Sequence, residues 1–354
     1  MGSLEARLRG AWQGRVSGCM LGKAVEAYSM TQGQEKLTEY LGAVDALPVR
    51  DYIPLADEPP PLLLASCCRG RFEASEPDDD VNYSVLALGM LERHGADLTT
   101  TDVARTWLMQ LPVGMTFTAE RAAFKTLLAN AHEWFAMGSE PGFDLALCSD
   151  NEFNDWIGAQ IRADVYGWVA PGNPGLAARL ARADADLSHR GDGVHGAVIV
   201  AAWGAAIPEA GDLGGALDAA LAEIPADSGA AAAVELGRKA ALAGEGAEAI
   251  HRAYAELSPV HTNNNLALVV WALLSHPDDF GAAIGDVVAA GWDTDCNGAT
   301  VGALWALQEK PVPEAWTAPW QGRVKATLAG QGELALDDLV ARTVAVTERL
   351  ADAS

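Results

Sequence analysis

Two short stretches place carboxylates directly ahead of apolar runs. One is EPDDDVNYSVLAL at 76–88, with Asp78, Asp79 and Asp80 in succession. The other is AGWDTDCNGATVGALWAL at 290–307, where Asp293 and Asp295 flank Thr294 and Cys296 follows. Residues two apart do not share a helix face, so Asp293 and Asp295 project together only from a helix end. Two readings are open. In one, both clusters are helix caps and dipole partners, each contributing about 0.5–2 kcal/mol. In the other, the clusters meet in space. Five converging carboxylates cannot all stay ionised without a counter-charge, and two divalent cations supply it. Oxygen ligands suit Mg²⁺, Mn²⁺ or Ca²⁺. Cys296 does not bring zinc, because no His/Cys set accompanies it.

The elements that must position these residues read as helices. Leu4, Leu8, Trp12, Val16 and Cys19 recur at helical spacing, which predicts an opening helix ending near Gly22. Residues 47–62 carry five prolines, so an irregular loop is expected there, extending to about 75. A loop of that length is a candidate lid or binding segment. Helices are predicted near 80–93, 101–110, 118–136, 155–168, 174–184, 194–207, 213–223, 229–257, 264–275, 279–290, 296–308 and 336–350. Trp12, Trp107, Trp203, Trp271 and Trp305 fall at core spacings within them. Strand alternation and fixed-period repeats are absent, and no linker divides the chain. The expectation is one all-α domain over 1–354.

Half of the 354 residues are apolar and 20% are charged, enough for a large core. Acidic residues outnumber basic ones 48 to 24, a field that repels nucleic acid and anionic lipid. The five cysteines form no CxxC pair, which reads as a reduced, cytoplasmic protein. The N-terminal stretch has no signal-peptide core. The longest apolar run, VHGAVIVAAWGAAIP, fits a buried helix better than a membrane span.

The two acidic clusters, in this order and about 215 residues apart, resemble the ADP-ribosylglycohydrolase family, the dinitrogenase-reductase-activating glycohydrolase type. That family carries Thr-Asp-Asp early and Asp-Thr-Asp-Thr late. GRVSGCMLGKAVE (14–26) is similar to its glycine-rich opening helix. IGAQIRADVYGWVAPGNP (157–174) resembles its middle segment. ARADADLSHRGDGVHGAVIVAAWGAA (181–206) resembles its Ser-His segment, and HTNNNLALVVWALL (261–274) leads into the late cluster.

The resemblance implies an all-α fold of roughly orthogonal helices and two divalent ions, usually Mg²⁺. The implied reaction is hydrolysis of the C1″ glycosidic bond of ADP-ribose attached to a protein side chain or small acceptor. Matching implies metal ligation by Asp79, Asp80, Asp293 and Asp295. Asp78 and Cys296 stand where the family has threonine ligands, and a register making the early pair Asp78 and Asp79 stays open. Glu26 sits near a catalytic or metal-bridging glutamate, so Glu26 and Asp80 are the candidate general bases. His189, Gly158, Arg162 and Gly193 are the implied substrate contacts. Two rivals remain: a related N-glycosidase acting on a nucleoside or other ribosylated small molecule, its choice tuned by the 47–75 loop, and a non-catalytic ADP-ribose binder.

Overall fold

The computed structural model describes residues 3–352. Its opening helix, Leu4–Lys23, starts at Ser3, whose hydroxyl accepts from the Ala6 N–H at 3.1 Å. This helix is buried on nearly every side because a second apolar helix, Thr294–Ala306, lies directly along it. The two touch backbone to backbone. A Cβ on Gly14 would overlap the carbonyl of Gly302, and one on Gly18 the carbonyl of Gly298. Rising residue numbers in one helix meet falling numbers in the other, so the pair is antiparallel. The C-terminal end of the opening helix, with Lys23, therefore lies at the N-terminal end of the helix that follows Asp293.

A helix at Asp79–His94 is joined to this pair by Arg15. The apolar helix Asp192–Ala210 is the buried element expected from its composition, although it is long and apolar enough to meet a membrane-span criterion. One hydrophobic cluster runs from Leu8 to Leu350, and the five tryptophans read as packing residues all lie in it. Trp12 meets Trp168 edge-to-face with centroids 5.1 Å apart. All five cysteines are buried and free.

The all-α expectation holds, with corrections of detail. The predicted 118–136 helix stops at Asn130, and 155–168 is a 3₁₀ segment, Ile157–Arg162, followed by the short helix Asp164–Trp168. The predicted 229–257 helix is broken at Gly244 (φ 64°) into Gly229–Ala243 and Glu248–Ala253. Helices Glu26–Gln32 and Gln34–Ala43 were not expected, nor was the small antiparallel pair Arg323–Lys325 with Glu333–Ala335.

The proline-rich segment differs most from expectation in role. Val49, Tyr52, Ile53, Cys67 and Cys68 are buried, and the Tyr52 hydroxyl donates to the Trp316 carbonyl at 2.7 Å. It is a strap over the core. None of its residues lines the cavity described next.

Candidate active site

The helix Asp79–His94 starts as its sequence suggests. Asp78 is its cap: Oδ1 accepts from the Asp80 N–H at 2.9 Å. The late cluster is different. Asp293 occupies the cap position without accepting any cap hydrogen bond. The turn before it is strained, with Trp292 at φ 60°, a left-handed conformation costing roughly 1–2 kcal/mol outside glycine. That turn is held by Ser29 donating to the Trp292 carbonyl at 3.0 Å and by Trp292 packing on His251. Asn265 fixes it from the other side, its Oδ1 accepting from the Asn297 side chain at 2.7 Å. Capping therefore accounts for Asp78 and leaves Asp293 and Asp295 unexplained.

The two clusters meet. Asp80, Asp295 and Cys296 bring ligand atoms within 4.8 Å of one another, and so do Glu26, Asp293 and Asp295, and Cys19, Asp78 and Asp80. Asp80 Oδ2, Asp293 Oδ1 and Asp295 Oδ1 are buried and have no hydrogen-bond partner. Burial pushes Asp79, Asp80 and Asp293 well above the usual carboxylate range, and neighbouring carboxylates add to the rise. Glu26 is raised in the same way, by burial and then by Asp295 and Asp293. Unpaired buried carboxylate oxygens of this kind are costly unless a cation serves them. The donor set is hard oxygen with two thiols, and burial pushes both the Cys19 and the Cys296 thiol well above the ordinary range. These residues fit an oxygen-seeking divalent cation, and no zinc-type thiolate set forms among them.

Asp80 is held from behind. Arg15 is fully buried and donates to Asp80 Oδ1 at 3.1 Å, to Asp164 Oδ2 at 2.8 Å and to the carbonyls of Asp80 and Ile161. One oxygen of Asp80 is thereby committed, and Asp80 lies beneath the cavity instead of lining it. Asp80, one of the two candidate general bases, thus has one oxygen on Arg15 and no atom at the cavity wall. Glu26, at the start of Glu26–Gln32, does line the cavity, as do Asp78, Asp79, Asp293 and Cys296.

The cavity encloses about 360 Å³. Its upper wall is apolar, made by Met115, Phe117, Trp156, Ile157, Ile161 and Val260. Gly158 lines it, and a Cβ there would overlap the Glu120 carboxylate. The other three implied substrate contacts do not reach it. Arg162 is 2% exposed and donates to Glu120 at 2.5 Å, to Asp184 at 2.9 Å and to the Ser188 hydroxyl at 3.1 Å. Its guanidinium also lies 5.1 Å from the Trp107 ring centroid. Arg162 is therefore a positioning residue that holds Glu120 at the wall. His189 is 1% exposed and shares a hydrogen bond with Ser188 at 2.8 Å. Gly193 packs where a Cβ would strike the Asn154 carbonyl.

Three residues of the site were not singled out by sequence. Arg15 and Glu120 sit inside amphipathic patterns, where one buried charge is invisible. Lys23 lies in the last turn of the opening helix, where a basic residue reads as a dipole partner. In the structure Lys23 Nζ pairs with Asp78 Oδ2, and Lys23 lines the cavity. Burial opposes the charge, but Asp78 and Asp295 outweigh it and raise the Lys23 pKa. Asp78 is disfavoured by burial in turn and is brought down by Lys23.

The ADP-ribosylglycohydrolase family model matches residues 2–349, and the chain belongs to that family. A solved structure described as an ADP-ribosylglycohydrolase-related protein complex superposes with a TM-score of 0.59 at 20% identity, covering 98% of this chain and 99% of that one. At that identity the likeness is one of fold. No curated protein matches.

Proposed function

We propose that the protein is a divalent-cation-dependent hydrolase that cleaves the C1″ glycosidic bond of a ribosyl group, with ADP-ribose on a protein side chain or small acceptor as the substrate the family suggests. The observation that carries this reading is the meeting of Glu26 and Asp293, which line the cavity, with Asp295, which does not, and the buried carboxylate oxygens there that no protein donor serves.

When bound, a divalent ion such as Mg²⁺ orients a ribose diol and acidifies a water. The chain's own groups do the rest. Asp293, Asp295 and Asp80 hold the charge at the floor, with Arg15 fixing Asp80. Glu26 faces the cavity and accepts the proton of the attacking water at its carboxylate. The bond from C1″ to the leaving group breaks through an oxocarbenium-like state, and the water oxygen adds to C1″. The leaving group takes the bonding electron pair and a proton from solvent, balancing the one that Glu26 holds and later releases, and Glu120, steadied by Arg162, faces it across the cavity. The apolar wall excludes water from the far side.

One feature favours the N-glycosidase reading over an ADP-ribosyl substrate. Among the described lining residues the only cation is Lys23, already engaged by Asp78, and the upper wall is apolar. A diphosphate finds no free cationic side chain among the lining residues, whereas a nucleobase or other uncharged aglycone would meet Trp156; the Phe117 ring already carries the Arg121 guanidinium 5.5 Å from its centroid. A panel of ADP-ribosyl-arginine, ADP-ribosyl-serine, O-acetyl-ADP-ribose and simple nucleosides, assayed with Mg²⁺ or Mn²⁺ and with EDTA, separates the readings. Metal-dependent turnover of any member supports the hydrolase. Binding of ADP-ribose without turnover of any member replaces it with a non-catalytic binder.

A further inference from the structure

We propose that Glu120 reads the leaving group: its carboxylate selects a planar base that presents an amino group over one that presents a carbonyl at the same position. The inference deepens the N-glycosidase reading above and rests on it.

Glu120 stands in the first turn of Thr118–Asn130, whose N-terminal end forms part of the cavity wall through Phe117 and Thr118. An acid at such a position has an ordinary use on an exposed surface, as a partner of the helix dipole. Glu120 is instead 3% exposed and lines the cavity. Its carboxylate lies directly on the Gly158 backbone, since a Cβ at Gly158 would overlap both oxygens. Gly158 lines the cavity too, two residues on from Trp156, which also lines it. A charged group and an aromatic ring thus meet a ligand at one stretch of wall.

The carboxylate has acceptor capacity to spare. Arg162 donates to Oε1 at 2.5 Å. The two oxygens of a carboxylate offer about four acceptor positions. Arg162 is also shared: its Nε donates to Asp184 at 2.9 Å, so one guanidinium serves two carboxylates. His189 Nε2, 3.9 Å from Oε1, adds no charge, because burial holds the imidazole pKa well below its ordinary range. Glu120 belongs to none of the three ligand groups at the floor, so a cation bound there does not use it.

An ionised carboxylate accepts and cannot donate. It favours an N–H on the aglycone and repels a carbonyl oxygen set in the same place. The neighbouring wall residues Met115, Ile157 and Ile161 offer that carbonyl no side-chain donor. The class selected is an aminopurine or aminopyrimidine over its oxo counterpart.

The test is the ratio of kcat/KM for adenosine over inosine and for cytidine over uridine, measured with Mn²⁺ on full-length wild type and Glu120→Gln. The glutamine keeps an oxygen for Arg162 and turns an amide N–H toward the cavity. Comparing the two proteins cancels the intrinsic reactivity of each base. The wild type should favour the amino member of each pair roughly 10–100-fold, and Glu120→Gln should bring the ratio to about one or invert it, with KM carrying most of the change. A folded variant with the wild-type ratio, or a wild type with no preference, overturns the inference and leaves the N-glycosidase reading intact. A wild type that turns over ADP-ribosyl substrates and no nucleoside overturns that reading, and the inference with it. Turnover of neither overturns the hydrolase reading and everything built on it. Should Glu120→Gln fail to fold, the wild-type KM values decide alone, and equal values within each pair overturn the inference.

Discussion

Gly18→Ala probes the link between fold and site most sharply, because it adds one methyl group at a residue that supplies no side chain to the site. In an ordinary helix the change is favourable by about 1 kcal/mol through backbone entropy. At Gly18 the new Cβ would overlap the carbonyl of Gly298, far inside the ~3.5 Å at which non-bonded heavy atoms settle. Carbonyl and Cβ are both backbone-fixed, so only separation of the two helices relieves the clash. Overpacking of this kind costs roughly 1–3 kcal/mol, which cancels the propensity gain and leaves a net loss of up to about 2 kcal/mol. The separation also draws Lys23 and Glu26 away from Asp293 and Asp295, so divalent-cation affinity should fall about tenfold or more. The control is Gly89→Ala, in the middle of Asp79–His94, where an added Cβ meets nothing within 4 Å. That variant should gain about 0.5–1 kcal/mol and keep its metal affinity. Urea unfolding of both variants, with calorimetric titration of Mn²⁺, makes the comparison. If Gly18→Ala is as stable as Gly89→Ala, or binds Mn²⁺ as the wild type does, the close helix pair is not what assembles the floor.

Other perturbations follow from single contacts. Arg15→Met leaves Asp80 and Asp164 buried without their shared cation and should cost about 3–5 kcal/mol in guanidinium unfolding. Glu26→Gln should lower the turnover rate by about 10²–10⁴ with the melting temperature little changed, measured on whichever panel substrate the wild type hydrolyses. His189 gives a pH signature. Burial, with Arg162 nearby, holds its pKa well below 6.5, so the unfolded chain binds the proton that the native one refuses. Stability from this site is therefore present above about pH 6.5 and is lost as pH falls below it, by up to about 1.4 kcal/mol per unit. His189→Asn should flatten that part of the stability curve, read by urea midpoints between pH 7 and 5.

Much of this was legible in the chain because periodicity and end signals are local. The helices around both acidic clusters, and the buried character of the apolar run after Gly193, follow from spacing alone. The short helices Glu26–Gln32 and Gln34–Ala43 lack an apolar stripe long enough to announce them, and the pair Arg323–Lys325 with Glu333–Ala335 is three residues a side. The site divides along the same line. Asp293 and Asp295 stand out as acids ahead of an apolar run, yet only three dimensions show that Asp293 caps nothing and that its Oδ1 is unserved. Arg162 and His189 have the residue types of ligand contacts, but burial is not written in residue type, and both lie behind the wall they support. Lys23 was hidden for the opposite reason, since its position at a helix end already had an ordinary electrostatic explanation.

The claim beneath all of this is that carboxylates from the two ends of the chain share one cation. It is tested most directly by the shift in melting temperature that Mn²⁺ produces in metal-free wild type and in Asp295→Asn. A ligand at about 100 times its dissociation constant adds roughly 2.7 kcal/mol, so the wild type should melt several degrees higher with Mn²⁺. Asp295→Asn should melt above the wild type without metal, because one unserved buried charge is gone, and should respond to Mn²⁺ hardly at all. An unresponsive wild type, or a variant whose shift equals that of the wild type, would contradict the account.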